Sequence, residues 1–404
     1  MKLSRVLAAL FAVCSSMPTL AAEIGLASFN LAWAGTETDF LRHIAICNSA
    51  EVNWCDTRAK VSKGSTEPSP PEALRAAQCQ SAFDTTSGGA PEGMLVAPCN
   101  AYKLTARKWE KGGAALYLEK LDGLRQTVER VVSEHRIDVI AFQEVRSDEV
   151  IHTILGKYAA EFDTCVAAHT AFQTVGFAWR KTLPTKPAQC VRESGLAIKE
   201  KPGDPAALRT LRPGLALNLT IGENTVAILN VHLKSACANL VTGSGFPGHQ
   251  LTDADPACRI LNRQVAPLED WIERVASTSP LFVLLGDFNR RLDEESAKAI
   301  PLDKVRTDGT DPAGPNKTGQ NGEVASKYLW QELSDGRPSL VQIPLTPATT
   351  TCLGFAGLDH ILISDALNAR QPSLPISRKF PVEKKPRQTI QTSDHCPRVT
   401  TISL

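Results

Sequence analysis

The chain has 404 residues, of which 43% are hydrophobic and 22% charged, and its formal net charge is +1. These proportions are typical of a folded, globular enzyme and exclude a chain that is disordered throughout. A charge so close to zero also excludes non-specific attraction to nucleic acid by the chain as a whole, because that attraction comes from neutralising phosphates with Lys and Arg. Contact with phosphates would therefore depend on a local basic surface.

The first 22 residues have the pattern of a secretory signal. Lys2 and Arg5 come first, the short apolar run from Val6 to Val13 follows, and alanines end the segment. The run is too short to cross a bilayer, and no run of about 18 apolar residues occurs later. We expect a signal at 1–22, a secreted or periplasmic protein and no stable membrane association. A lipid anchor on Cys14 is the weaker alternative, because the residue before it is a bulky valine.

Cysteine usage points to the same compartment. The chain has eleven cysteines, and subtracting Cys14 in the expected signal leaves ten. An even number in an exported protein favours disulfides, and the lack of a CxxC pair in the sequence disfavours a structural zinc cluster. Cys396 could be a buried thiol or the partner of Cys352. The local pairs that we predict are Cys165–Cys190 and Cys237–Cys258.

The order of predicted elements favours two packed sheets with helices outside them. A strand from Glu23 to Asn30 comes first, and an irregular stretch at about residues 35–113 is interpreted as a cysteine-containing insertion into one domain over 23–404. A helix follows at about Ala115 to His135, and then a buried strand over 137–145. Further along, we predict strands at Thr174–Trp179, Gly195–Ile198, Gly214–Ile221, Thr225–His232, 281–289, Leu358–Ser364 and Arg398–Leu404, a helix at about Arg259–Ala276, and loops at Ala236–Ala257 and Asp308–Glu323.

Five polar clusters stand at the ends of predicted strands. One such cluster commonly caps a turn. Buried polar groups must be hydrogen-bonded or line a site, however, and five clusters of this composition are difficult to explain as caps. They are Asn30 in SFNLAW, Gln143 and Glu144 in AFQEVRS, His232 in NVHLKS, Asp287 and Asn289 in LLGDFN, and Asp359 with Asp394 and His395 in LDHILIS and TSDHCP.

These side chains suit the hydrolysis of phosphate esters. Oxygen ligands such as Glu144, Asp287 and Asp394 fit a hard cation, Mg²⁺ or Mn²⁺, which polarises a phosphoryl oxygen and stabilises charge on the leaving group. His395 could activate a water molecule while a carboxylate orients its ring. Asp287 and Asn289 are two residues apart on a strand and therefore face the same side, where both could reach one phosphate or its attacking water.

The motifs, in this order, resemble those of the endonuclease/exonuclease/phosphatase superfamily, which includes deoxyribonuclease I, exonuclease III, sphingomyelinases and inositol-polyphosphate 5-phosphatases. The resemblance covers about Glu23–Asn30 and then Ala115 to the C-terminus. It implies an α/β fold, a four-layer α/β/β/α sandwich of two packed, mainly antiparallel sheets. It also implies in-line attack of water on phosphorus without a covalent intermediate.

The resemblance further implies which residues bind metal, water and phosphate. Glu144 would be the main metal ligand with Asn30 beside it, and Asp394 would bind the metal or support a ligand. Asp287 would orient or deprotonate the water, and Asn289 would hold the phosphate. The implied cofactor is Mg²⁺ or Mn²⁺, and a structural Ca²⁺ stays open as an additional ion.

Two histidines and two arginines complete the implied site. His395, paired with Asp359, would be a catalytic base or a phosphate stabiliser, and His232 an acid or a hydrogen-bond donor in the transition state. Arg146 matches a deoxyribonuclease I position that contacts DNA, and Arg212 could meet a phosphate or be a solvated surface arginine. Deoxyribonuclease I pairs the histidine matching His232 with a glutamate, whose counterpart is not evident in this sequence.

The substrate expectation also comes from the resemblance. His232 in HLKS resembles the deoxyribonuclease I and sphingomyelinase branches, and Gln143 resembles the nucleases. GDFN stands where the 5-phosphatases favour a GDLNYR-like string. We therefore expect a monomeric endonuclease that acts on DNA. The alternatives are a phosphatase or phospholipase C-like enzyme acting on a small or lipid phosphate ester, and a non-catalytic binding protein on the same fold, which the intact set of polar residues disfavours.

Overall fold

The computed structural model describes residues 22–47, 59, 62, 65, 67–78, 106–200, 202–203, 210–238, 248–297, 327–335, 338–346, 357–382 and 392–404. Residues 1–21 of the expected signal, the predicted loop at Asp308–Glu323, Cys352 and most of the 35–113 insertion lie outside this part of the chain.

The described residues form two six-stranded sheets packed face to face. The first has the order β11-β12-β1-β2-β4-β3 and the second β5-β6-β7-β8-β10-β9. In each sheet one pair is parallel, β1 with β2 and β7 with β8, and the other pairs are antiparallel. The strands are β1 Glu23–Ala34, β2 Val139–Val145, β3 Phe162–Val166, β4 Thr174–Arg180, β5 Gln189–Glu193, β6 Gly214–Ile221, β7 Asn224–His232, β8 Phe282–Asp287, β9 Leu340–Gln342, β10 Asp359–Ser364, β11 Arg378–Lys379 and β12 Arg398–Ser403.

Helices cover the outer faces of both sheets, which confirms the predicted four-layer sandwich. Along β1, alternate side chains face opposite ways: Leu26 lies in the core between the sheets, and Phe29 packs under α3 with Leu124. On the other side, Trp271 of the helix Pro256–Thr278 and Leu284 of β8 belong to one buried core. The helices are α1 Glu37–Cys47, α2 70–78, α3 Ala106–His135, α4 Asp148–Leu155, α5 Pro256–Thr278, α6 Leu292–Ser296, α7 Leu329–Asp335 and α8 Asp365–Asn368, with 3₁₀ turns at Gly156–Glu161 and Ser194–Leu196.

Three predicted details were wrong. Helix α3 begins at Ala106 and not at Ala115, and α1 and α2 are regular helices within the stretch predicted to be irregular. The predicted strand at Gly195–Ile198 is instead a 3₁₀ turn, closed by a hydrogen bond of 2.6 Å from the backbone N–H of Gly195 to Glu193 Oε1. Four short outer strands, β3, β5, β9 and β11, were not predicted, because only a few residues of each carry any pattern.

Both predicted disulfides are present. Cys165–Cys190 joins β3 to β5 and therefore links edge strands of the two sheets. Cys237–Cys258 ties the loop after β7 to the start of α5. Cys396 is disulfide-bonded as well, so it is not a free thiol. Among the described residues, none of the helices is long and apolar enough to cross a membrane.

Candidate active site

The sheet registers bring the predicted polar clusters to one end of the sandwich. In the first sheet Asn30 is level with Gln143, the residue before Glu144. In the second sheet Asp287 is level with His232 on one side and with Asp359 on the other. Parallel neighbours end at the same edge of a sheet, and β10 begins at the edge where β8 ends. The side chains from the two sheets meet across the sandwich, where Asn30 of the first sheet donates a hydrogen bond to Asp287 of the second.

One carboxylate oxygen is the centre of the site. Asp287 Oδ2 accepts a hydrogen bond from Asn30 Nδ2 at 2.9 Å. The Nε2 atoms of His232 and His395 lie 3.6 Å and 3.7 Å from the same oxygen. Asp287 Oδ1 accepts the backbone N–H of Asn289 at 2.8 Å. The carboxylate is almost fully buried, so both of its oxygens face positioned donors rather than bulk water.

His395 forms a charged pair with Asp359. Its Nδ1 lies 2.9 Å and 3.1 Å from the two Asp359 oxygens, and Lys379 Nζ is 3.8 Å from Asp359 Oδ2. Burial alone would lower the pKa of His395, but the carboxylates of Asp359 and Asp287 outweigh it and raise the pKa to about 10. The pKa of Asp359 is lowered: burial opposes the shift, and His395 overcomes it. At neutral pH the pair is an imidazolium and a carboxylate.

The pKa values of Asp287 and of His232, whose Nε2 lies 3.6 Å from Asp287 Oδ2, shift in opposite directions, which suits different roles. Burial raises the pKa of Asp287 to about 7, although His395 and the bonds from Asn289 and Asn30 oppose the shift. Burial, together with Arg212, His395 and Lys234, lowers the pKa of His232 well below its usual value. His232 is therefore neutral at neutral pH. Its Nδ1 is buried and has no hydrogen-bond partner within the described ranges, so the glutamate of deoxyribonuclease I has no counterpart there.

Glu144 is held in a strained position beside this centre. Its φ is 58°, in the left-handed region that few residues other than glycine adopt, and the register of β2 shifts at this residue. Glu144 Oε1 accepts from Asn30 Nδ2 at 3.3 Å. Burial and the nearby Asp394 raise the pKa of Glu144, while His395, Arg212 and Asn30 oppose the rise.

The donor set fits a divalent metal ion. Loss of contact with solvent raises the pKa values of Glu144 and Asp287 although His395 opposes both shifts, and a bound cation would favour the ionised form of each carboxylate. Glu144 and Asp394 provide the oxygen ligands that hard cations prefer. Ligand atoms of Asp287, Asp359 and His395 also lie within 4.8 Å of one another. His395 Nδ1 is already engaged by Asp359, so we favour the carboxylates as the ligands.

Asn30 and the predicted phosphate-contacting residues take specific positions around the carboxylates. The Asn30 amide turns its nitrogen to the carboxylates, while its oxygen accepts from the backbone of Ala32 at 2.9 Å. As oriented, Asn30 positions the carboxylates, and it would coordinate a metal only with its amide reversed. Asn289, at φ 52°, donates from Nδ2 to the Leu233 carbonyl at 3.0 Å. Arg146 Nη1 donates to the carbonyl of Ala171 at 2.9 Å.

The loop that carries Asp394 and His395 is attached to β1. Ser393 Oγ donates to the carbonyl of Asn30 at 2.7 Å and accepts from the backbone N–H of His395 at 3.0 Å. This serine holds the SDH motif against the strand that supplies Asn30.

Three residues of the site were not singled out from the sequence. Lys120, Gln173 and Lys379 are all buried. Lys120 Nζ donates to the carbonyls of Ala32 and Trp33, the latter at 2.8 Å. Burial lowers the pKa of Lys120 to about 8, against the opposing influence of Glu144 and Asp394. A signal for Lys120 existed, because it lies on the same helix face as the apolar residues Tyr117, Leu121 and Leu124.

The sequence profile of the Endonuclease/Exonuclease/phosphatase family matches residues 115–395, which is more than half of the chain. The chain belongs to this family. Its members are hydrolases of phosphate esters and typically depend on a divalent metal. No curated protein matches the chain.

Several solved structures resemble the protein at low sequence identity. Truncated TDP2 from Caenorhabditis elegans is 14% identical, with 71% of this chain and 92% of that chain covered and a TM-score of 0.41. An endonuclease/exonuclease/phosphatase protein from Bacteroides vulgatus is 11% identical, with coverages of 95% and 99% and a TM-score of 0.44. The catalytic domain of human Nocturnin is 11% identical, with coverages of 70% and 86% and a TM-score of 0.36.

Proposed function

We propose that this protein is a secreted or periplasmic, Mg²⁺- or Mn²⁺-dependent endonuclease that hydrolyses DNA by direct attack of water. The observation that carries the proposal is the convergence on Asp287 Oδ2 of the Asn30 amide and the Nε2 atoms of His232 and His395. A buried carboxylate between two imidazoles can take a proton from water while the neighbouring donors stabilise a phosphoryl group.

In this mechanism Asp287 is the base. Its pKa of about 7 lies near the working pH, where a carboxylate can both accept a proton and release it again. Asn30, by donating to Oδ2, and the backbone of Asn289, by donating to Oδ1, fix the direction in which the base faces. The water proton moves to Asp287 Oδ2 as the water oxygen attacks phosphorus, and the P–O ester bond opposite it breaks. The leaving oxygen takes up a proton from solvent.

The two histidines would stabilise the phosphate. His395 carries a proton at neutral pH, so it acts through Nε2–H as a positive donor to a phosphate oxygen, with Asp359 holding its ring. His232 is neutral and donates a hydrogen bond to the phosphate or the leaving oxygen. Asn289 holds the phosphate. A divalent ion held by Glu144 and Asp394 would polarise the phosphoryl oxygen and neutralise developing charge.

DNA is the proposed substrate because basic groups border the site of a chain that is nearly neutral overall. Arg212 and Lys234 lie close enough to His232 to depress its pKa, and Arg146 keeps its predicted role as a DNA contact. Disulfides joining the two sheets and closing the loop after β7 fit an oxidising compartment. We propose that the protein acts as a monomer.

The test is hydrolysis by the purified protein of plasmid DNA, p-nitrophenyl phosphate and phosphocholine-lipid vesicles, each with Mg²⁺ and with EDTA. Metal-dependent nicking of the plasmid is expected, and Asp287→Asn should abolish it. The matched control, Asp270→Asn, changes an exposed residue on α5 and should leave the rate unchanged. If the protein cleaved the monoester or the lipid but not DNA, the proposed endonuclease activity would be overturned. That result would favour a phosphatase or phospholipase C-like enzyme. No hydrolysis of any substrate would favour a non-catalytic binding protein.

A further inference from the structure

The carboxylate of Glu144 is held from two sides by neutral amides. Asn30 donates to Oε1 at 3.3 Å, and Gln173 Nε2 donates to Oε2 at 3.0 Å. The Gln173 amide takes this orientation because the reverse one would set its oxygen against the carboxylate and its nitrogen against a guanidinium. Gln173 is only 6% exposed, so water does not readily replace it in these bonds.

Arg212 donates a hydrogen bond to Gln173 on the side away from Glu144. Gln173 Oε1 accepts from Arg212 Nη1 at 3.1 Å. The other two nitrogens of the guanidinium face the end of β7: Nε donates to the carbonyl of His232 at 3.0 Å, and Nη2 donates to the carbonyl of Leu233. A continuous chain of hydrogen bonds therefore runs from the second sheet through Arg212 and Gln173 to a carboxylate of the first sheet.

Glu144 needs such support. Its left-handed backbone is conformationally unfavourable. Its burial and the nearby charge of Asp394 both disfavour the ionised carboxylate. Each amide donor favours the ionised form and also limits the rotation of the carboxylate. Groups that hydrogen-bond a metal ligand in this way preorganise the ligand before the ion arrives.

We infer that Gln173 is a positioning residue for the metal-ligating carboxylate of Glu144, and that Arg212 acts on the site through Gln173. This inference rests on the proposed function only in that Glu144 binds a divalent ion. The sequence left Arg212 as either a phosphate contact or a surface arginine. In this inference its role is to hold the Gln173 side chain in place. Metal binding and substrate binding can therefore be separated by experiment.

The experiment is calorimetric titration of Mn²⁺ into the metal-stripped, full-chain protein without substrate. Gln173→Leu removes the donor and the acceptor together, and Gln173→Asn keeps an amide that is one methylene too short to reach both partners. Arg212→Lys keeps the charge but loses the geometry of the guanidinium. The matched controls, Gln189→Leu and Arg192→Lys, change exposed residues of β5. Melting in EDTA identifies any variant that fails to fold.

Gln173→Leu should weaken Mn²⁺ binding by about 10- to 100-fold, and Arg212→Lys by a smaller factor in the same direction. Because the two residues form one chain, the double variant should bind Mn²⁺ no more weakly than Gln173→Leu alone. At saturating Mn²⁺ the KM of Gln173→Leu should return to the parent value. If Gln173→Leu does not fold, the Mn²⁺ affinity of Gln173→Asn tests the inference instead, and we expect a smaller loss of affinity for that variant.

Parent-like Mn²⁺ affinity in Gln173→Leu or Gln173→Asn would overturn the inference. If Arg212→Lys kept full affinity and only raised KM for DNA, Arg212 would be a substrate contact, and its action through Gln173 would be wrong. A parent protein that bound no Mn²⁺ would overturn the proposed metal dependence and this inference together. If the variants bound Mn²⁺ more weakly than the parent but the parent did not cut DNA, only the proposed substrate would be overturned.

Discussion

Replacing Asp359 with Asn tests how His395 keeps its proton. The Asp359 carboxylate lies 2.9 Å from His395 Nδ1 and is the main group that opposes the effect of burial on this histidine. The rise in the pKa of His395 from 6.5 to about 10 corresponds to about 5 kcal/mol in favour of the charged ring. Without that carboxylate only Asp287 and Asp394 still oppose burial, so we expect the pKa of His395 to fall and the ring to be largely neutral at neutral pH.

Two consequences are measurable. Loss of a charged donor at the phosphate should lower kcat for a phosphodiester by about a hundredfold or more at saturating Mg²⁺. In EDTA, a raised histidine pKa contributes stability that is fully present below pH 6.5 and is lost as the pH rises through about 10. The free energy of unfolding of the parent should therefore fall over that range by several kcal/mol more than that of the variant.

The assays are NMR titration of the imidazole resonances and urea unfolding across the same pH range, both in EDTA. Asp163→Asn, an exposed aspartate on β3, serves as the control and should behave as the parent does. If Asp359→Asn left the His395 resonance titrating near pH 10 with an unchanged rate, the assignment of His395 as the positive donor held by Asp359 would be refuted.

Three further variants test separate features. Glu144→Gln should lower activity by more than about a hundredfold and abolish calorimetric Mn²⁺ binding, whereas retained binding would refute the metal assignment. Arg146→Ala should lower the rate on DNA more than on p-nitrophenyl phosphate, and equal losses would exclude a DNA contact. Burial lowers the pKa of His43 to about 4, so the parent should lose about 3 kcal/mol of stability between pH 6.5 and pH 4. Urea unfolding of His43→Leu should not show this loss of stability. If the variant lost as much stability as the parent, groups other than His43 would be its cause.

The sheets and most of the site could be predicted because their signals are local. The central strands are continuous apolar runs, and each ends in residues whose chemistry differs sharply from the run before it. The parallel pairing of β1 with β2 puts Asn30 and Glu144 at one edge of the first sheet, and that of β7 with β8 puts His232 and Asp287 at one edge of the second. The packing of the sheets then brings these two edges together. Short edge strands lack such runs, so β9 and β11 can be recognised only from their pairing with β10 and β12 in the structure.

The residues that support the ligands are harder to find from sequence. Gln173 precedes β4 in an ordinary polar context, and its role depends on Glu144 and Arg212, which come from distant parts of the chain. Lys120 could have been found, because a lysine within the apolar face of a helix must be paired inside the protein. Asn30 lies beside Glu144 and Asp287, but which atom of its amide faces the carboxylates depends on the backbone of Ala32, which the sequence does not reveal.

The backbone of Glu144 indicates that the fold gives up stability to aim this side chain. At φ 58° a residue with a Cβ is disfavoured by about 1–2 kcal/mol, whereas glycine is not. Glu144→Gly should therefore be more stable in EDTA than Glu144→Ala by about 1 kcal/mol, although both lack the carboxylate. The matched pair Glu119→Gly and Glu119→Ala lies within α3, where the order should invert, because glycine costs about 1 kcal/mol in a helix. Urea unfolding of the four variants measures both differences. If alanine were the more stable replacement at both positions, Glu144 would not be strained, and the hydrogen bonds from Asn30 and Gln173 alone would hold its carboxylate in place.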